Sequence, residues 1–175
     1  MAGDLGGRTI DAPPGRRTRP TPERVREAWF SALGDRVPGA TVLDLFAGSG
    51  ALGIEALSRE AARVHFVESD RRAAATLRRN LERLGLAGRG ELSRVDVFRF
   101  LEGLGERRPV RSFDLALADP PYGGGMARRL AERFRRSPFA GLLCLEHAPS
   151  ALEGVGGVVW ERRYGDTALT FLAGR

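Results

Sequence analysis

The chain has 175 residues, 42% of them hydrophobic and 29% charged, which suits one soluble domain with a single core. With one cysteine, Cys144, and no apolar run of about 20 residues, the sequence excludes a disulfide framework and offers no membrane span. The net charge is +6 and all 28 basic residues are arginine, which favours a polyanionic partner, although arginine-only usage also fits a genomic bias. We expect a cytoplasmic monomer without a secretory signal or a bound metal.

The first 20 residues predict a basic arm ahead of the folded domain. Residues 1–20 are rich in Gly, Pro and Arg and lack a helical period, which indicates an arm or a short hairpin and not a packed element. Residues 21–175 form the predicted domain. Its first helix begins at Pro22, with Thr21 as the N-cap, and ends at Gly34.

Strands and helices alternate from Thr41 onwards. The predicted strands are 41–46, 63–68, 90–95, 113–118 and 141–146, and the predicted helices are 51–59, 71–84, 97–104 and 125–136. Residues 157–164 and 167–172 predict a closing hairpin that adds one antiparallel strand. This order predicts an α/β fold in three layers (αβα) around a mostly parallel seven-stranded sheet.

The first strand-to-helix turn carries a glycine motif. Phe46-Ala47-Gly48-Ser49-Gly50-Ala51-Leu52-Gly53 matches G-x-G-x-x-G, which by itself indicates a dinucleotide, another nucleoside cofactor or a tight turn. Glu68, at the end of the second strand, is placed to bind a ribose diol. Asp44 lies just before the glycines, where its carboxylate would repel a pyrophosphate but attract the sulfonium and ammonium groups of S-adenosylmethionine. The alternative role for Asp44 is a cap of the following helix.

A third acidic position follows the third strand. Asp96 and Val97 are placed there to receive an adenine amino group. Acidic residues after three successive strands, around a glycine loop, predict a pocket for a positively charged nucleoside. S-adenosylmethionine therefore fits this pattern better than a nicotinamide dinucleotide does.

The tetrapeptide Asp119-Pro120-Pro121-Tyr122 follows the fourth strand, at the same sheet edge as the glycine loop. An exocyclic amine on a base is a poor nucleophile, because its lone pair is conjugated into the ring. A carboxylate and a backbone carbonyl that accept its N–H bonds can favour pyramidal nitrogen, and two prolines stiffen the turn without adding N–H groups. Tyr122 can stack on a flipped base. Because the amine loses its proton only during transfer, we expect no catalytic role for His65 or His147.

Three motifs together resemble the bacterial small-subunit rRNA guanine-N2 methyltransferases. They are the glycine motif, the Asp-Pro-Pro-Tyr motif and Arg19-Pro20-Thr21-Pro22-Glu23-Arg24-Val25-Arg26-Glu27, and the match spans about residues 7–150. The resemblance implies a Rossmann-like class I methyltransferase fold that uses S-adenosylmethionine. It also implies methylation of a guanine N2 in 16S rRNA, within the small ribosomal subunit or its assembly intermediate.

The resemblance also implies roles for individual residues. Asp119, Pro120, Pro121 and Tyr122 would bind the target base and form the catalytic set. Asp44 and residues 46–50 would contact the methionine part of the cofactor. The whole implied cofactor-binding set is Thr21, Arg24, Asp44, Phe46, Ala47, Gly48, Ser49, Gly50, Glu68, Ser69, Asp96, Val97 and Asp119. The chain departs from the family mainly in its short arm before Gly15.

Two arginine groups are candidates for RNA contact, and several other functions remain open. The candidates are Arg16, Arg17 and Arg19 in the arm and Arg128 and Arg129 after the Asp-Pro-Pro-Tyr motif. The second group is explained equally well as the solvent-exposed face of a helix. The same pocket would suit a DNA adenine-N6 or protein glutamine methyltransferase. A noncatalytic RNA-binding assembly factor and a nicotinamide oxidoreductase are the remaining alternatives.

Overall fold

The computed structural model describes residues 5–12, 23–107 and 112–174. The helices are α1 Glu23–Leu33, α2 Ala51–Ser58, α3 Arg71–Arg83, α4 Val97–Arg107 and α5 Met126–Arg136. The strands are β1 Thr41–Leu45, β2 Arg63–Val67, β3 Gly90–Ser93, β4 Phe113–Ala118, β5 Ala140–His147, β6 Val158–Tyr164 and β7 Thr167–Ala173. A short 3-10 turn, Gly34–Arg36, follows α1 directly, so this helix ends where the glycine predicts.

The seven strands form one sheet in the order β3-β2-β1-β4-β5-β7-β6. Strands β1 to β5 are parallel to one another, and β7 runs antiparallel between β5 and β6. The predicted α/β fold with its mostly parallel seven-stranded sheet is therefore confirmed. The strand order reverses between β1 and β4, so the carboxyl ends of these two strands flank a crevice of the kind in which open α/β sheets bind ligands.

The helices cover both faces of the sheet. Alternate residues of β1 point to opposite layers, since Val42 packs in the cluster under α1, α2 and α3, whereas Leu43 and Leu45 pack under α4 and α5. Short apolar strands such as β1 and β4 are buried on both sides, as expected for a parallel sheet. In the described part of the chain, no helix is both long and apolar enough to cross a bilayer.

The N-terminal segment corrects one expectation. Residues 5–12 do not form an unpacked arm, because Leu5 is 8% exposed and its N–H donates to Ser58 Oγ at 3.0 Å. Further along, the Asp11 N–H donates to Asn80 Oδ1 at 3.0 Å, and Asn80 Nδ2 donates back to Asp11 O at 3.1 Å. Two apolar residues in a glycine-rich segment give no period that sequence inspection can detect, yet they are enough to hold the segment against α2 and α3.

Candidate active site

The turn after β1 has an unusual backbone. Phe46, Gly48 and Gly50 have positive φ angles of 60°, 58° and 88°. This left-handed region is open to glycine but strains a residue that has a Cβ, so Phe46 is strained where the chain leaves the strand. Gly50 precedes α2, and its N–H donates to Ala47 O at 2.7 Å. The tight turn therefore places the backbone of residues 47–50, including Ser49, at the carboxyl edge of the sheet.

Asp44 is a buried acid directly behind this turn. It is 1% exposed, and its Oδ2 accepts from the Gly53 N–H at 2.9 Å, in the first turn of α2. The capping role considered for Asp44 is therefore present. Burial raises the pKa of Asp44 to about 8 against the lowering effect of this hydrogen bond, and the neighbouring Glu68 and Asp119 carboxylates raise the pKa further.

Glu68 bridges the end of β2 and the glycine turn. It is 6% exposed, and its two oxygens accept from the Gly48 N–H at 2.8 Å and from the Asp70 N–H at 2.7 Å. Glu68 thus fixes the loop position at the place where the sequence predicts a ribose contact. Ser69, which follows it, is exposed. The role of Glu68 in ribose binding, and of Ser69 in cofactor binding, stays a prediction.

Asp96 and Val97 begin helix α4. The Asp96 Oδ1 accepts from the Phe98 N–H at 3.0 Å and from the Arg99 N–H at 3.1 Å, which is an N-cap arrangement. Asp96 is exposed and Val97 is 2% exposed. A residue at the first helical position has no intrahelical partner for its N–H, so the Val97 amide could serve an adenine ring nitrogen beside the Asp96 carboxylate.

The acids fit a positively charged ligand. Asp44, Glu68 and Asp119 come from the ends of three neighbouring strands, and each of the last two raises the pKa of the first through charge repulsion. Such a cluster of like charges is unfavourable in the free protein and is relieved by a cation. S-adenosylmethionine carries a sulfonium and an ammonium and has no phosphate, so the residues present fit it better than they fit a dinucleotide.

Because Asp44 has a raised pKa, the stability of the free protein is expected to depend on pH. The folded state holds a proton that the unfolded state releases above pH 4, so the free energy of unfolding falls as pH rises from about 4 to about 8. We expect thermal unfolding temperatures to decrease across this range and Asp44→Asn to flatten the slope. A residual slope of the same sign would come from Glu146. If the unfolding temperature depended on pH equally in the wild type and in Asp44→Asn, the raised pKa of Asp44 would be contradicted.

The Asp-Pro-Pro-Tyr turn lies beside the same cluster. Ala118 pairs with Leu145 in the β4–β5 register, so Asp119 lies alongside Glu146 of β5. Pro120 is buried, whereas Pro121 is exposed and Tyr122 is 58% exposed at the rim. Burial raises the pKa of the Tyr122 hydroxyl to about 12, which keeps it protonated as a hydrogen-bond donor.

Glu146 is a site residue that sequence inspection misses. It is 3% exposed, and its Oε1 accepts from the Tyr122 hydroxyl and from the Thr167 hydroxyl, both at 3.1 Å. Burial and the adjacent Asp119 carboxylate raise the pKa of Glu146 to about 7. The only sequence signal is an acid near the carboxyl end of the apolar strand β5. The relation of this acid to Asp119 depends on the β4–β5 register.

A pocket of about 200 Å³ opens between the Asp-Pro-Pro-Tyr turn and the end of β5. Its lining includes Pro120, Pro121, Tyr122, Glu146, His147 and Ala148. His147 is 1% exposed, with Nδ1 2.7 Å from Ala148 O and Nε2 2.7 Å from Thr170 Oγ1. Burial lowers the pKa of His147, which favours the neutral imidazole. The two contacts orient the ring in the wall of the pocket.

Of the candidate RNA-binding arginines, the described residues include Arg128 and Arg129. Arg128 and Arg129 are exposed on α5; Arg128 Nε donates to Glu132 Oε1 at 3.0 Å, and the Arg129 guanidinium lies 3.8 Å from the centre of the Phe98 ring. Phe98 in turn meets Phe46 edge-on, so Arg129 reaches towards the glycine turn. The described residues do not include the other RNA-binding candidates, Arg16, Arg17 and Arg19. They also do not include two members of the predicted cofactor set, Thr21 and the side chain of Arg24.

The fold and the site define a class I methyltransferase that uses S-adenosylmethionine. Within that class, the chain belongs to the family described as Conserved hypothetical protein 95, whose family model matches residues 1–172. The chain is also 35% identical over 176 residues to YlbH of Bacillus subtilis (strain 168), an alignment that covers 97% of this chain and 95% of that protein.

Two further comparisons extend this relationship. Ribosomal RNA small subunit methyltransferase D of Escherichia coli (strain K12) is 37% identical over 126 residues, which are 72% of this chain and 61% of that protein. Among solved structures, the Escherichia coli protein yhhF has a TM-score of 0.82 and 29% identity, and the superposition covers 100% of this chain and 96% of that chain. The resemblance inferred from the motifs is therefore confirmed at the level of the family.

Proposed function

We propose that the protein transfers a methyl group from S-adenosylmethionine to the exocyclic N2 of a guanine in 16S rRNA. The observation that carries this proposal is the position of Asp119, which belongs to the acidic cluster and begins a turn containing two prolines. A relative that is 37% identical is named ribosomal RNA small subunit methyltransferase D, which supports ribosomal RNA of the small subunit as the substrate.

The residues divide into a cofactor set and a base set. Asp44 and residues 46–50 hold the methionine part, Glu68 the ribose, and Asp96 with Val97 the adenine, and Ser69 belongs to the same cofactor set. The family resemblance also assigns Thr21 and Arg24 to the cofactor set, and Thr21 and the Arg24 side chain lie outside the described residues. When bound, the cofactor supplies an electrophilic methyl group. The acidic cluster orients it by charge, which is the kind of positioning that provides most of the rate enhancement in a displacement reaction.

The Asp-Pro-Pro-Tyr turn prepares the accepting amine. The Asp119 carboxylate and a backbone carbonyl of the turn accept the two N–H bonds of the exocyclic nitrogen and direct its lone pair towards the methyl group. Pro120 and Pro121 contribute no competing N–H groups and limit the backbone's freedom to move. Tyr122, more than half exposed at the rim, stacks on the base once it has left the RNA helix.

The RNA partner is 16S rRNA, within the small subunit or its assembly intermediate, bound by a monomer in the cytoplasm. Arg128 and Arg129 contact its backbone, together with Arg16, Arg17 and Arg19. If these arginines neutralise phosphates, the affinity for RNA falls by at least about tenfold between 50 mM and 200 mM salt. A binding titration across ionic strength measures this, and a flat response would exclude the arginine contacts.

A matched pair of variants separates specific contacts from overall charge. Arg128→Gln/Arg129→Gln is expected to lower the slope of log affinity against log salt by about one for each arginine. Arg78→Gln/Arg79→Gln, which removes two exposed charges from α3 on another part of the surface, should leave the slope closer to the wild-type value. Equal slopes for the two double variants would mean that the salt dependence of RNA affinity reflects only the net charge of the protein.

The proposed reaction is tested by incubating the protein with labelled S-adenosylmethionine and undermodified 30S subunits. The modified nucleoside is then identified and mapped by mass spectrometry. We expect N2-methylguanosine at one nucleotide of 16S rRNA. Label in N6-methyladenosine, in ribosomal protein or in no product would contradict the proposal.

A further inference from the structure

We propose that Glu146 determines base specificity, by accepting a hydrogen bond from N1–H of the target guanine. This inference rests on the proposed function and extends it to a residue outside the Asp-Pro-Pro-Tyr motif. It concerns a different step from the one assigned to Asp119, because Glu146 reads an atom that does not react.

The first observation is an unused acceptor. Glu146 is 3% exposed, and within the described part of the chain its Oε2 has no hydrogen-bond partner, whereas Oε1 accepts from two hydroxyls. A buried carboxylate oxygen without a partner is unfavourable by itself and is rarely retained without a reason. The oxygen belongs to a residue that lines the pocket beside the Asp-Pro-Pro-Tyr turn.

The second observation is the pairing of Glu146 with Asp119. The two acids are neighbours across β4 and β5, and Glu146 lines the pocket beside the Asp-Pro-Pro-Tyr turn, which begins at Asp119. The Watson–Crick edge of guanine carries two adjacent donors, N1–H and the N2 amino group. Adenine has an acceptor at N1 instead. Two neighbouring carboxylates that are both ionised can only accept, so they match guanine and oppose adenine. The pKa of Glu146 is raised to about 7 in the free protein, and a donor such as guanine N1–H favours its ionised form.

The third observation concerns access to Glu146. The Tyr122 hydroxyl donates to Glu146 and also contacts the Thr167 hydroxyl, so the phenol occupies the position of a donor from a ligand. Because the Tyr122 side chain is 58% exposed, its ring can rotate away and stack on an entering base. Guanine N1–H then donates to Glu146 Oε2, the oxygen without a partner, while the Thr167 hydroxyl keeps its bond to Oε1.

The test uses a base analogue at the nucleotide mapped by the 30S experiment. 2-Aminopurine keeps the 2-amino group that receives the methyl group. Its N1 carries no hydrogen, however, and is a hydrogen-bond acceptor. Small subunits are reconstituted from 16S rRNA that carries either guanine or 2-aminopurine at that nucleotide. The ratio of the two kcat/KM values is measured for the wild type, Glu146→Gln and Glu146→Asp, with Glu82→Gln on the exposed face of α3 as the matched control.

The wild type is expected to prefer guanine by at least about 100-fold, since a site built to bind an N–H group rejects an analogue that lacks it. Glu146→Gln can donate its amide to the bare N1, so the preference should fall to within about tenfold, mainly through a higher KM on guanine. Glu146→Asp should retain the preference with a lower rate, which keeps the test decisive if the glutamine variant fails to fold. Glu82→Gln should behave like the wild type.

Unchanged guanine preference in folded Glu146→Gln, or wild-type behaviour of Glu146→Asp in both rate and preference, would overturn the role of Glu146. Failure of the proposed function is a separate outcome, because the wild type would then produce no N2-methylguanosine on the subunits that carry guanine. Affinity for S-adenosylmethionine, measured by calorimetry, is expected to be similar in the wild type and in Glu146→Gln. A loss of cofactor affinity that accounts for the whole effect would also count against base recognition.

Discussion

Replacement of Asp119 by alanine is expected to abolish methyl transfer, with a loss of at least about 1,000-fold in kcat, while the affinity for S-adenosylmethionine changes by less than about tenfold. The amine that receives the methyl group depends on an acceptor that favours pyramidal nitrogen, and Asp119 is the carboxylate that the proline turn itself carries. Cofactor binding depends on several residues, including Asp44 and Glu68, and removal of one like charge from this cluster relieves repulsion.

The measurement combines single-turnover transfer to 30S subunits with calorimetry of cofactor binding. Asp35→Ala, an exposed acid in the turn after α1, is the matched control and should retain wild-type turnover. Near-normal turnover in Asp119→Ala would remove Asp119 from the catalytic set. A complete loss of cofactor binding would instead assign this residue to the cofactor alone.

The second large effect is expected at Gly53, in the first turn of α2. A Cβ at this position would overlap the Phe66 ring and lie 2.8 Å from Asp44 Oδ2, so Gly53→Ala would displace a buried ring and the central acid of the site. Overpacking of this kind costs about 1–3 kcal/mol of folding free energy. It exceeds the gain of up to about 1 kcal/mol that alanine brings to a helix, so we expect a net loss of stability and weaker cofactor binding.

Gly103 provides the matched control, because it is also a helical glycine. A Cβ added to Gly103 in α4 meets no atom within 4 Å, and its backbone lies outside the positive-φ region. Gly103→Ala should therefore raise the free energy of unfolding by about 0.5–1 kcal/mol. Denaturant unfolding of both variants tests the comparison. A Gly53→Ala protein that is as stable as Gly103→Ala and binds the cofactor normally would contradict the packing argument.

Much of the fold follows from local patterns in the sequence. The strands β1, β2, β4 and β5 are short apolar runs between helices of clear amphipathic period, and such alternation favours a parallel sheet. The carboxyl ends of parallel strands meet at one edge, so the sequence also predicts that Asp44, Glu68 and Asp119 lie together. Their mutual effect on the pKa of Asp44 agrees with that expectation.

Other features depend on long-range geometry that local patterns do not contain. Glu146 becomes a site residue only because the β4–β5 register places it beside Asp119, and Thr167 reaches it from β7, across the antiparallel pair. The packing of residues 5–12 depends on Asn80, whose amide also donates to Ser49 O at 3.0 Å and so links this segment to the glycine turn. Asp44 bonds the first turn of α2, a role that the sequence offers only as an alternative, whereas the cap that Asp96 forms on α4 is not predicted from the sequence.

The most direct measurement is a crystal structure of the protein with S-adenosylmethionine bound. We expect the sulfonium to lie within the cluster formed by Asp44, Glu68 and Asp119, with its methyl group directed at the Asp119–Tyr122 turn. A cofactor bound at another edge of the sheet, or a methyl group directed away from this turn, would contradict it.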